Sequence, residues 1–353
     1  MHLSKLILKN FKNLSREFEF SPDYNVILAP NGSGKTNTLE AIFFLSNSSS
    51  FRVFPESNLI SYEEVDFARI EADIDKNKIQ SILSKKASGI NKKFLYNGAE
   101  KSPSEFIKIF DVILFSPNTV DLVAGSPDIR RKDIDDFLSK YDGQYRSKLA
   151  TYRKVIQNRN KLLSKLKSGR GSLEELDFWN DNLVSNGEYI TERRLSLLEE
   201  IKEHAKNSAE EIYREDFSGF EIVYKKSYET ENLGASIVEN LDKEIAMGSS
   251  LYGPHRDDMR FSLKNQDLRI SGSRGQQRIA SLIYKISQWY LLKLKTQKSP
   301  ILLLDDIMSE LDKVHRENIE NKIKEGYLGQ VILTSCDDKD FTQDFAKKNI
   351  ITL

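Results

Sequence analysis

The chain has 353 residues, 39% hydrophobic and 30% charged, with 53 basic and 53 acidic side chains, so net charge gives no sign of nucleic-acid binding and any DNA contact must come from a local patch. Its single cysteine, Cys336, excludes a disulfide framework and a cysteine-rich metal site. Without an apolar run long enough for a membrane helix or an N-terminal signal peptide, the protein is expected to be cytoplasmic and to have no membrane partner.

Two strands are predicted at the start of the chain. Leu6 and Leu8 alternate with other residues on the first, and Phe18 and Phe20 alternate on the second. Alternation returns at residues 68–74, and the later Asn-Gly pair at 97–98 is typical of a two-residue hairpin turn. These patterns predict an antiparallel sheet packed beside the core described next.

The stretch VILAPNGSGKTNTLEAIFFL combines an apolar strand, a glycine-rich turn and an amphipathic helix, which is the P-loop pattern. Gly32 and Gly34 allow backbone N–H groups to surround a phosphate, Lys35 reaches the outer phosphates, and the Thr36 hydroxyl can hold Mg²⁺. Ala29 replaces the first glycine of the pattern, which is compatible with a negative φ. We predict ATP contacts from Pro30, Asn31, Gly32, Ser33, Gly34, Lys35, Thr36 and Asn37.

A helical lobe is predicted in the middle of the chain. From Tyr145 onward, apolar residues follow a three-four spacing, with Arg159 in one position of the stripe. A second stripe carries Ile190, and KSGRGS at 167–172 predicts a flexible break between the helices. We therefore predict an ATPase head built from residues 1–125 and 246–353, with an inserted helical lobe at 126–245.

Two carboxylates follow a short apolar strand near the C-terminus. A helix is predicted over Gln276–Lys295, and Ile301–Leu304 then form an all-apolar strand that ends at Asp305 and Asp306. In a P-loop enzyme, one acid at this position holds Mg²⁺ and a second can polarise the attacking water. We assign these catalytic roles to Asp305 and Asp306, with Lys35, although paired acids also commonly cap the helix that follows a strand.

Three further stretches resemble parts of ABC-type ATPases. SGSRGQQR at 271–278 resembles their signature motif, SELD at 309–312 lies where they have the D-loop, and ILTSCDD at 332–338 occupies the switch position. A serine hydroxyl and a glycine N–H at a helix N-terminus would suit a γ-phosphate on a second subunit. The alternative is an ordinary helix cap. We predict that ATP joins two copies of the chain through Ser273, Gly275 and Gln276.

Taken together, these motifs resemble one family over essentially the whole chain: RecF, the bacterial recombination and gap-repair ATPases. The resemblance also rests on LILKNFKNL, SSSFR, FSPNTVDLVAGSPDIRRKDID, YRKVIQNRN, GPHRDD and LLLDDIMSELD. SMC proteins and zinc-hook repair ATPases share the head, but they need hundreds of coiled-coil residues between its halves. The insertion in this chain is too short for that.

The resemblance implies an α/β fold, namely a P-loop ABC-type ATPase head with a mixed sheet, an antiparallel subdomain and an inserted helical lobe. It implies an ATP-dependent homodimer that clamps DNA, works with RecR and RecO in gap repair and replication restart, and promotes RecA loading and SOS induction. Hydrolysis is expected to be slow because it resets the clamp. Lys12 and Asn13 lie where the head of this family approaches the base and sugar of ATP.

Three departures from ABC ATPases are consistent with slow turnover. Residues 334–336, Thr-Ser-Cys, occupy a switch position that is histidine in many of these enzymes, and none can act as a charged γ-phosphate sensor. Asp306 is one methylene shorter than the usual glutamate base. Arg274 replaces a glycine of the signature, a position that varies among RecF proteins.

Several charged residues keep alternative interpretations. His255 and Arg256, in GPHRDD, face DNA or the nucleotide interface, or they belong to a loop that satisfies its own polar groups. Arg130 and Arg131 cap a helix predicted at 133–141, or they contact phosphate.

DNA binding and a competing function class can also be addressed from the sequence. The basic run at 152–170 is either a phosphate-directed DNA patch or the solvated face of a helix.

The competing class of function is a P-loop head that drives a separate nuclease. Few residues follow Asp312, so we expect no appended nuclease domain.

Overall fold

The computed structural model describes residues 1–52, 54–61, 65–87, 89–213, 217, 219–230, 232–342, 345 and 349–353, and only the backbone of 207–213. By their contacts these residues form two units, which we call the head unit, Met1–Thr119 with Gln288–Leu353, and the helical unit, Val120–Ser287. A search of these residues finds no helix with the length and apolarity needed to cross a bilayer.

The elements have the following bounds. The strands are β1 Leu3–Phe11, β2 Leu14–Glu19, β3 Tyr24–Leu28, β4 Phe67–Ile74, β5 Asn77–Lys86, β6 Gly89–Tyr96, β7 Ala99–Lys101, β8 Val112–Phe115, β9 Phe220–Lys225, β10 Asp258–Leu263, β11 Gln266–Asp267, β12 Ile301–Asp305, β13 Val331–Ser335 and β14 Ile350–Thr352. The α-helices are α1 Lys35–Asn47, α2 Pro103–Phe106, α3 Asp121–Ala124, α4 Pro127–Tyr141, α5 Gly143–Lys167, α6 Leu173–Tyr213, α7 Leu233–Glu239, α8 Leu241–Met247, α9 Leu268–Ser271, α10 Arg274–Thr296 and α11 Lys313–Lys324.

A parallel sheet carries the nucleotide-site motifs of the head unit. Its strands run in the order β14-β3-β13-β12-β8, and each neighbouring pair is parallel. Every residue of β12 and β13 is buried, as expected for a parallel sheet covered on both faces. The carboxyl ends of these strands lie along one edge, where Asp305 pairs with Thr334 and Thr334 pairs with Ile27. This register brings residues that are distant in sequence to the end of β3.

An antiparallel sheet forms the second layer of the head unit, in the order β2-β1-β4-β5-β6-β7. Asn97 and Gly98 both have positive φ, 48° and 82°, and they turn the chain between the paired strands β6 and β7. The predicted antiparallel sheet is therefore confirmed. Its buried side chains, including Leu6 and Phe94, share one hydrophobic core with Leu39 and Phe44 of α1.

Long helices dominate the helical unit. Helix α5 begins close to the predicted start at Tyr145, and α6 begins at Leu173, well before Ile190. The two helices pack against each other, and the predicted break between them is present. There Gly169 and Gly171 have positive φ, 71° and 108°, which a residue with a side chain rarely adopts.

A small antiparallel sheet, in the order β11-β10-β9, also belongs to the helical unit. All six residues of β10 pair with β9, and this pairing ties residues 258–263 to the helical unit. The sequence analysis placed these residues in the second half of the ATPase head. That assignment divides the chain by function, whereas the two units are defined by contacts between residues. The assignment therefore stays a prediction.

Candidate nucleotide-binding site

The P-loop connects β3 to α1, and its backbone explains why two of its residues are glycine. Gly32 and Gly34 have φ values of 81° and 111°. A Cβ on Gly34 would lie 2.7 Å from Cδ2 of Leu14, so a side chain is excluded by space as well as by φ. Ala29 is not among the residues with positive φ, which satisfies the condition that its replacement of glycine requires.

The ammonium group of Lys35 lies over the carbonyl groups of this loop. Its Nζ donates to the carbonyl oxygens of Ala29 and Pro30, at 2.5 and 3.1 Å, and to Oδ1 of Asn31 at 3.4 Å. The side chain is buried, so the positive charge is held inside the loop and away from bulk water. A phosphate placed in the loop would meet both this charge and the N-terminus of α1.

Thr36 and Asp305, the residues predicted to hold magnesium, are in contact. Oγ1 of Thr36 donates to Oδ1 of Asp305 at 3.1 Å, although 269 residues separate them. Burial raises the pKa of Asp305, while hydrogen bonds from Thr334 and Thr36 oppose that rise. A hydroxyl and a buried carboxylate are oxygen donors of the kind that Mg²⁺ prefers, so these residues fit the ion.

Asp306 follows with a strained backbone and an unsatisfied carboxylate oxygen. Its φ is 52°, in the left-handed region that a residue with a side chain seldom adopts. Its Oδ1 is buried and has no hydrogen-bond partner among the residues described. Since buried polar atoms are normally satisfied, this oxygen is compatible with a water or ligand in the site.

The switch region adjoins these two acids. The buried hydroxyl of Thr334 donates to Oδ1 of Asp305 at 2.7 Å and accepts from the N–H of Asp306 at 2.9 Å. Sγ of the exposed Cys336 and a carboxylate oxygen of Asp340 lie within 4.8 Å of a carboxylate oxygen of Asp306. The sequence identifies Thr334 only as one of the three residues at the switch position, none of which can act as a charged sensor, and it does not predict the contacts of Thr334 with both acids.

Lys12 and Asn13, which are predicted to approach the base and sugar of ATP, lie in different surroundings. Nζ of Lys12 lies 2.5 Å from Oε2 of the fully buried Glu40, so its charge is already paired. Burial lowers the pKa of Lys12, and the contact with Glu40 opposes that change. Asn13 borders the P-loop, because it donates to the carbonyl of Ser33 at 3.4 Å and accepts from Asn37 at 2.7 Å.

Arg52 is a residue to which the sequence analysis gave no role. Its Nη1 donates to Oδ1 of Asn37 at 3.1 Å and lies 3.5 Å from Oε2 of Glu40. Its charge also acts to lower the pKa of Asp305. The SSSFR motif, which ends at Arg52, was the available signal for it.

The signature residues lie in the helical unit, at the start of α10. The N–H of Gln276 donates to Oγ of Ser273 at 3.2 Å, and the N–H of Ser273 donates to Oε1 of Gln276 at 2.9 Å. These reciprocal bonds form a helix cap, the alternative kept open from the sequence. Ser273 and Gly275 are exposed and Gln276 is half-buried, and among the described residues a Cβ on Gly275 would meet only Oγ of Ser273, at 3.9 Å. Packing within the described part of the chain therefore does not explain this glycine.

In GPHRDD, the polar side chains of His255 and Asp257 are hydrogen-bonded to residues outside the motif. The ring of His255 accepts from the hydroxyl of Tyr152 at 2.7 Å and donates to the carbonyl of Ser250 at 3.2 Å. Burial lowers the pKa of His255 to about 4, so the imidazole is neutral near pH 7. Oδ1 of the fully buried Asp257 accepts from the N–H of Ser227 at 2.7 Å. Arg256 alone of these side chains is exposed.

Arg130 and Arg131 bind the two aspartates of that motif. Nε and Nη2 of Arg130 donate to the two carboxylate oxygens of Asp258, at 2.7 and 3.2 Å, and Nη1 of Arg131 donates to the carbonyl of Asp257 at 2.5 Å. Both arginines lie inside α4, which begins at Pro127, so the prediction that they cap a helix at 133–141 is wrong. The helix begins earlier because Pro127 occupies its first turn.

The basic run on α5 is divided between the surface and the core. Lys161, Lys165 and Lys167 are exposed, whereas Arg159 is fully buried and pairs with Glu244 at 2.5 Å. The exposed basic residues of this run, which also include Arg153 and Arg170, are available to a partner, whereas Arg159 is not.

Comparison with known proteins identifies close relatives. Residues 2–351 match the family model described as RecF/RecN/SMC N terminal domain. The chain is 34% identical to the DNA replication and repair protein RecF of Ligilactobacillus salivarius, covering 99% of this chain and 94% of that protein. It is also 34% identical to the protein of the same name from Halalkalibacterium halodurans, with 96% and 94% covered.

Solved structures agree with these sequence relatives. The recombination mediator protein RecF-ATPrS in the RecFOR pathway matches with a TM-score of 0.85 and 31% identity, over 97% of this chain and 94% of that one. An Smc head domain from Pyrococcus furiosus matches with a TM-score of 0.53 and 20% identity, over 99% and 93%, and at that identity it supports the fold alone.

Proposed function

Because this chain belongs to the RecF family of DNA replication and repair proteins, we propose that it is an ATP-dependent DNA clamp of recombinational gap repair and replication restart. The observation that carries the proposal is the meeting of Thr36 and Asp305 beside the P-loop lysine, Lys35. ATP enters the proposal from the matched RecF structures that contain ATP or ATPrS. Mg²⁺ enters it from the oxygen donors that the site provides.

The residues of the head unit have separate roles in this proposal. Lys35 exchanges its carbonyl partners for phosphate oxygens, and the loop residues from Asn31 to Gly34 present backbone N–H groups to them, while Pro30 begins the loop without a donor. Thr36 and Asp305 hold the metal ion, and Asp306 orients the attacking water. When bound, ATP supplies the phosphoanhydride bond that is hydrolysed. Asn37 and Asn13 border the loop. Lys12 forms an ion pair with Glu40 and contributes to the site through that contact.

Dimerisation extends the proposal to the helical unit. Ser273, Gly275 and Gln276 contact the ATP of a second copy, which is supported by the exposure of Ser273 and Gly275 and by the fact that packing among the described residues does not require glycine at 275. The dimer clamps DNA, with the exposed lysines of α5 contacting phosphates. Hydrolysis is slow and resets the clamp. RecR and RecO enter the proposal from the RecFOR pathway of the matched structure. RecA loading enters it from the family resemblance of the sequence motifs, and the site of action is the cytoplasm.

Molar mass measured by light scattering, with and without Mg-ATP, tests this function. Asp306→Asn is designed to hold the ATP-bound state, because the amide cannot take a proton from water. We expect its mass to double with Mg-ATP, and Asp306→Asn combined with Ser273→Arg to stay monomeric. The matched control combines Asp306→Asn with Ser196→Arg, which places the same charge at an exposed serine of α6, and it should still dimerise.

The result against the proposal is equally definite. If ATP binds and the mass of Asp306→Asn never changes, Ser273 and Gly275 only cap α10. The switch must then work within one chain.

A further inference from the structure

Thr334 connects the switch strand to both acids of the candidate site through one hydroxyl. It lies on β13, and its side chain is fully buried. Its Oγ1 donates to Oδ1 of Asp305 at 2.7 Å and accepts from the N–H of Asp306 at 2.9 Å. We propose that Thr334 is a positioning residue for ATP hydrolysis, holding Asp305 in place for the divalent cation and Asp306 in place for water. This inference rests on the proposed function.

The contacts of Asp305 show why its position depends on Thr334. This carboxylate is 4% exposed, and both of its hydrogen bonds, from Thr36 and from Thr334, reach Oδ1. Thr36 is itself a proposed ligand of the cation, so Thr334 is the only partner of Asp305, among the described residues, that lies outside the cation-binding pair. The carboxylate is therefore anchored at one oxygen, and Oδ2 has no hydrogen bond within the described chain.

The second contact of Thr334 stabilises a strained residue. Asp306 has a φ of 52°, a conformation that costs a residue with a side chain about 1 kcal/mol. The hydrogen bond from its N–H to Oγ1 of Thr334 favours that conformation, and Oδ1 of the same residue is buried without a partner among the described residues. Valine would keep the shape of threonine on the strand but lose both hydrogen bonds. Asp305 and Asp306 would then be displaced while β13 keeps its packing.

The test compares wild type, Thr334→Val and Thr334→Ser, using a fluorescent ATP analogue titrated in EDTA and at increasing Mg²⁺, together with kcat and KM for ATP. In EDTA, we expect all three to bind the analogue within about twofold of one another, because Thr334 touches no predicted phosphate contact. In Thr334→Val, the Mg²⁺ concentration that gives half of the increase in analogue affinity should be about tenfold higher. This factor corresponds to the loss of one hydrogen bond to a charged group. The kcat of Thr334→Val should fall about tenfold or more, with KM nearly unchanged. Thr334→Ser retains the hydroxyl and should restore both properties.

A matched control separates positioning from general stability. Thr191 is a buried threonine of the helical unit, and its hydroxyl lies 3.4 Å from Oδ2 of Asp257. Thr191→Val removes the same atoms beside another buried aspartate, and it should leave the Mg²⁺ dependence unchanged. Thr334→Ala is to be measured in the same way, so that an unfolded valine variant does not decide the result.

Two results overturn the inference, and they can be told apart. If wild type responds to Mg²⁺ and the Thr334 variants match it while losing only thermal stability, Thr334 is merely structural and the proposed function stands. If the wild type shows no Mg²⁺ response, the proposed metal site fails and the role of Thr334 fails with it.

Discussion

The core of the helical unit and the P-loop edge of the head unit use buried polar groups in different ways. In the helical unit, buried charges are paired within the chain: Arg159 with Glu244, and Arg194 with Asp135 at 2.8 Å. At the P-loop edge of the head unit, Oγ of Ser33 and Oδ1 of Asp306 are buried without a partner in the described part of the chain. Paired buried charges specify a fold, whereas unpaired polar atoms beside a P-loop suit a ligand. The comparison supports the proposed location of ATP and assigns a structural role to the charges of the helical unit.

The largest expected effect comes from breaking a charge pair of the helical unit. Arg159→Met leaves Glu244 fully buried without its cation, so the free energy of unfolding should fall by about 3–5 kcal/mol. Urea denaturation followed by circular dichroism measures the loss. Arg159→Met combined with Glu244→Leu removes both charges and should recover most of it. A loss below about 1 kcal/mol in the single variant would contradict a structural role for the pair.

The same replacement of a buried cation by methionine in the head unit should lower ATP affinity and leave stability nearly unchanged. Lys35→Met removes a buried ammonium group whose partners are loop carbonyl and amide oxygens. ATP affinity should fall about 100-fold, close to 3 kcal/mol, while the free energy of unfolding changes by less than about 1 kcal/mol. Equilibrium binding of a fluorescent ATP analogue, beside the same urea denaturation, measures both. Arg159→Met is the control, and the distinction between the units fails if Lys35→Met unfolds the chain instead.

A smaller effect depends on pH and belongs to the helical unit. Burial lowers the pKa of His255 to about 4 in the folded protein, against 6.5 when unfolded, so the unfolded chain binds a proton first as the pH falls. Stability from the neutral imidazole is complete above about pH 6.5 and is lost as the pH falls towards 4. Between pH 7 and pH 5 we expect the titration of His255 to lower the free energy of unfolding by about 2 kcal/mol.

Comparison with a variant isolates the contribution of that histidine. His255→Gln keeps a donor and an acceptor near Tyr152 and Ser250, and it cannot titrate. Its unfolding free energy should therefore decline less than that of wild type over the same pH range. Equal declines would assign the pH dependence to other groups.

The smallest expected effect concerns DNA. Charge reversal of Lys161, Lys165 and Lys167 on α5 should weaken duplex binding by about tenfold at low salt and reduce its salt dependence. Fluorescence anisotropy with a labelled duplex, titrated at several salt concentrations, measures both quantities. Reversal of Lys76, Lys86 and Lys108, exposed lysines of the head unit, is the control. Unchanged affinity in the α5 variant would leave its lysines as an ordinary solvated helix face.

Some parts of the candidate site could be predicted because they depend on local backbone chemistry. A P-loop needs glycine where φ is positive, and Gly32 and Gly34 meet that need within one short turn. The acids at the end of β12 were predictable because parallel strands place their carboxyl ends at one edge of the sheet. The bonds of Arg130 and Arg131 were not predictable, since their partners at 257 and 258 lie far along the chain.

By itself, the sequence determined the kinds of element, the phosphate-binding turn and the two acids, because each depends on residue spacing within a few turns of chain. Only the tertiary structure decided which polar groups meet. Strand register placed Thr334 beside Asp305, and helix packing paired Arg159 with Glu244. In the sequence, Thr334 and Arg159 are only polar positions within apolar patterns. Their partners depend on strand order and helix packing, which the spacing of residues does not encode.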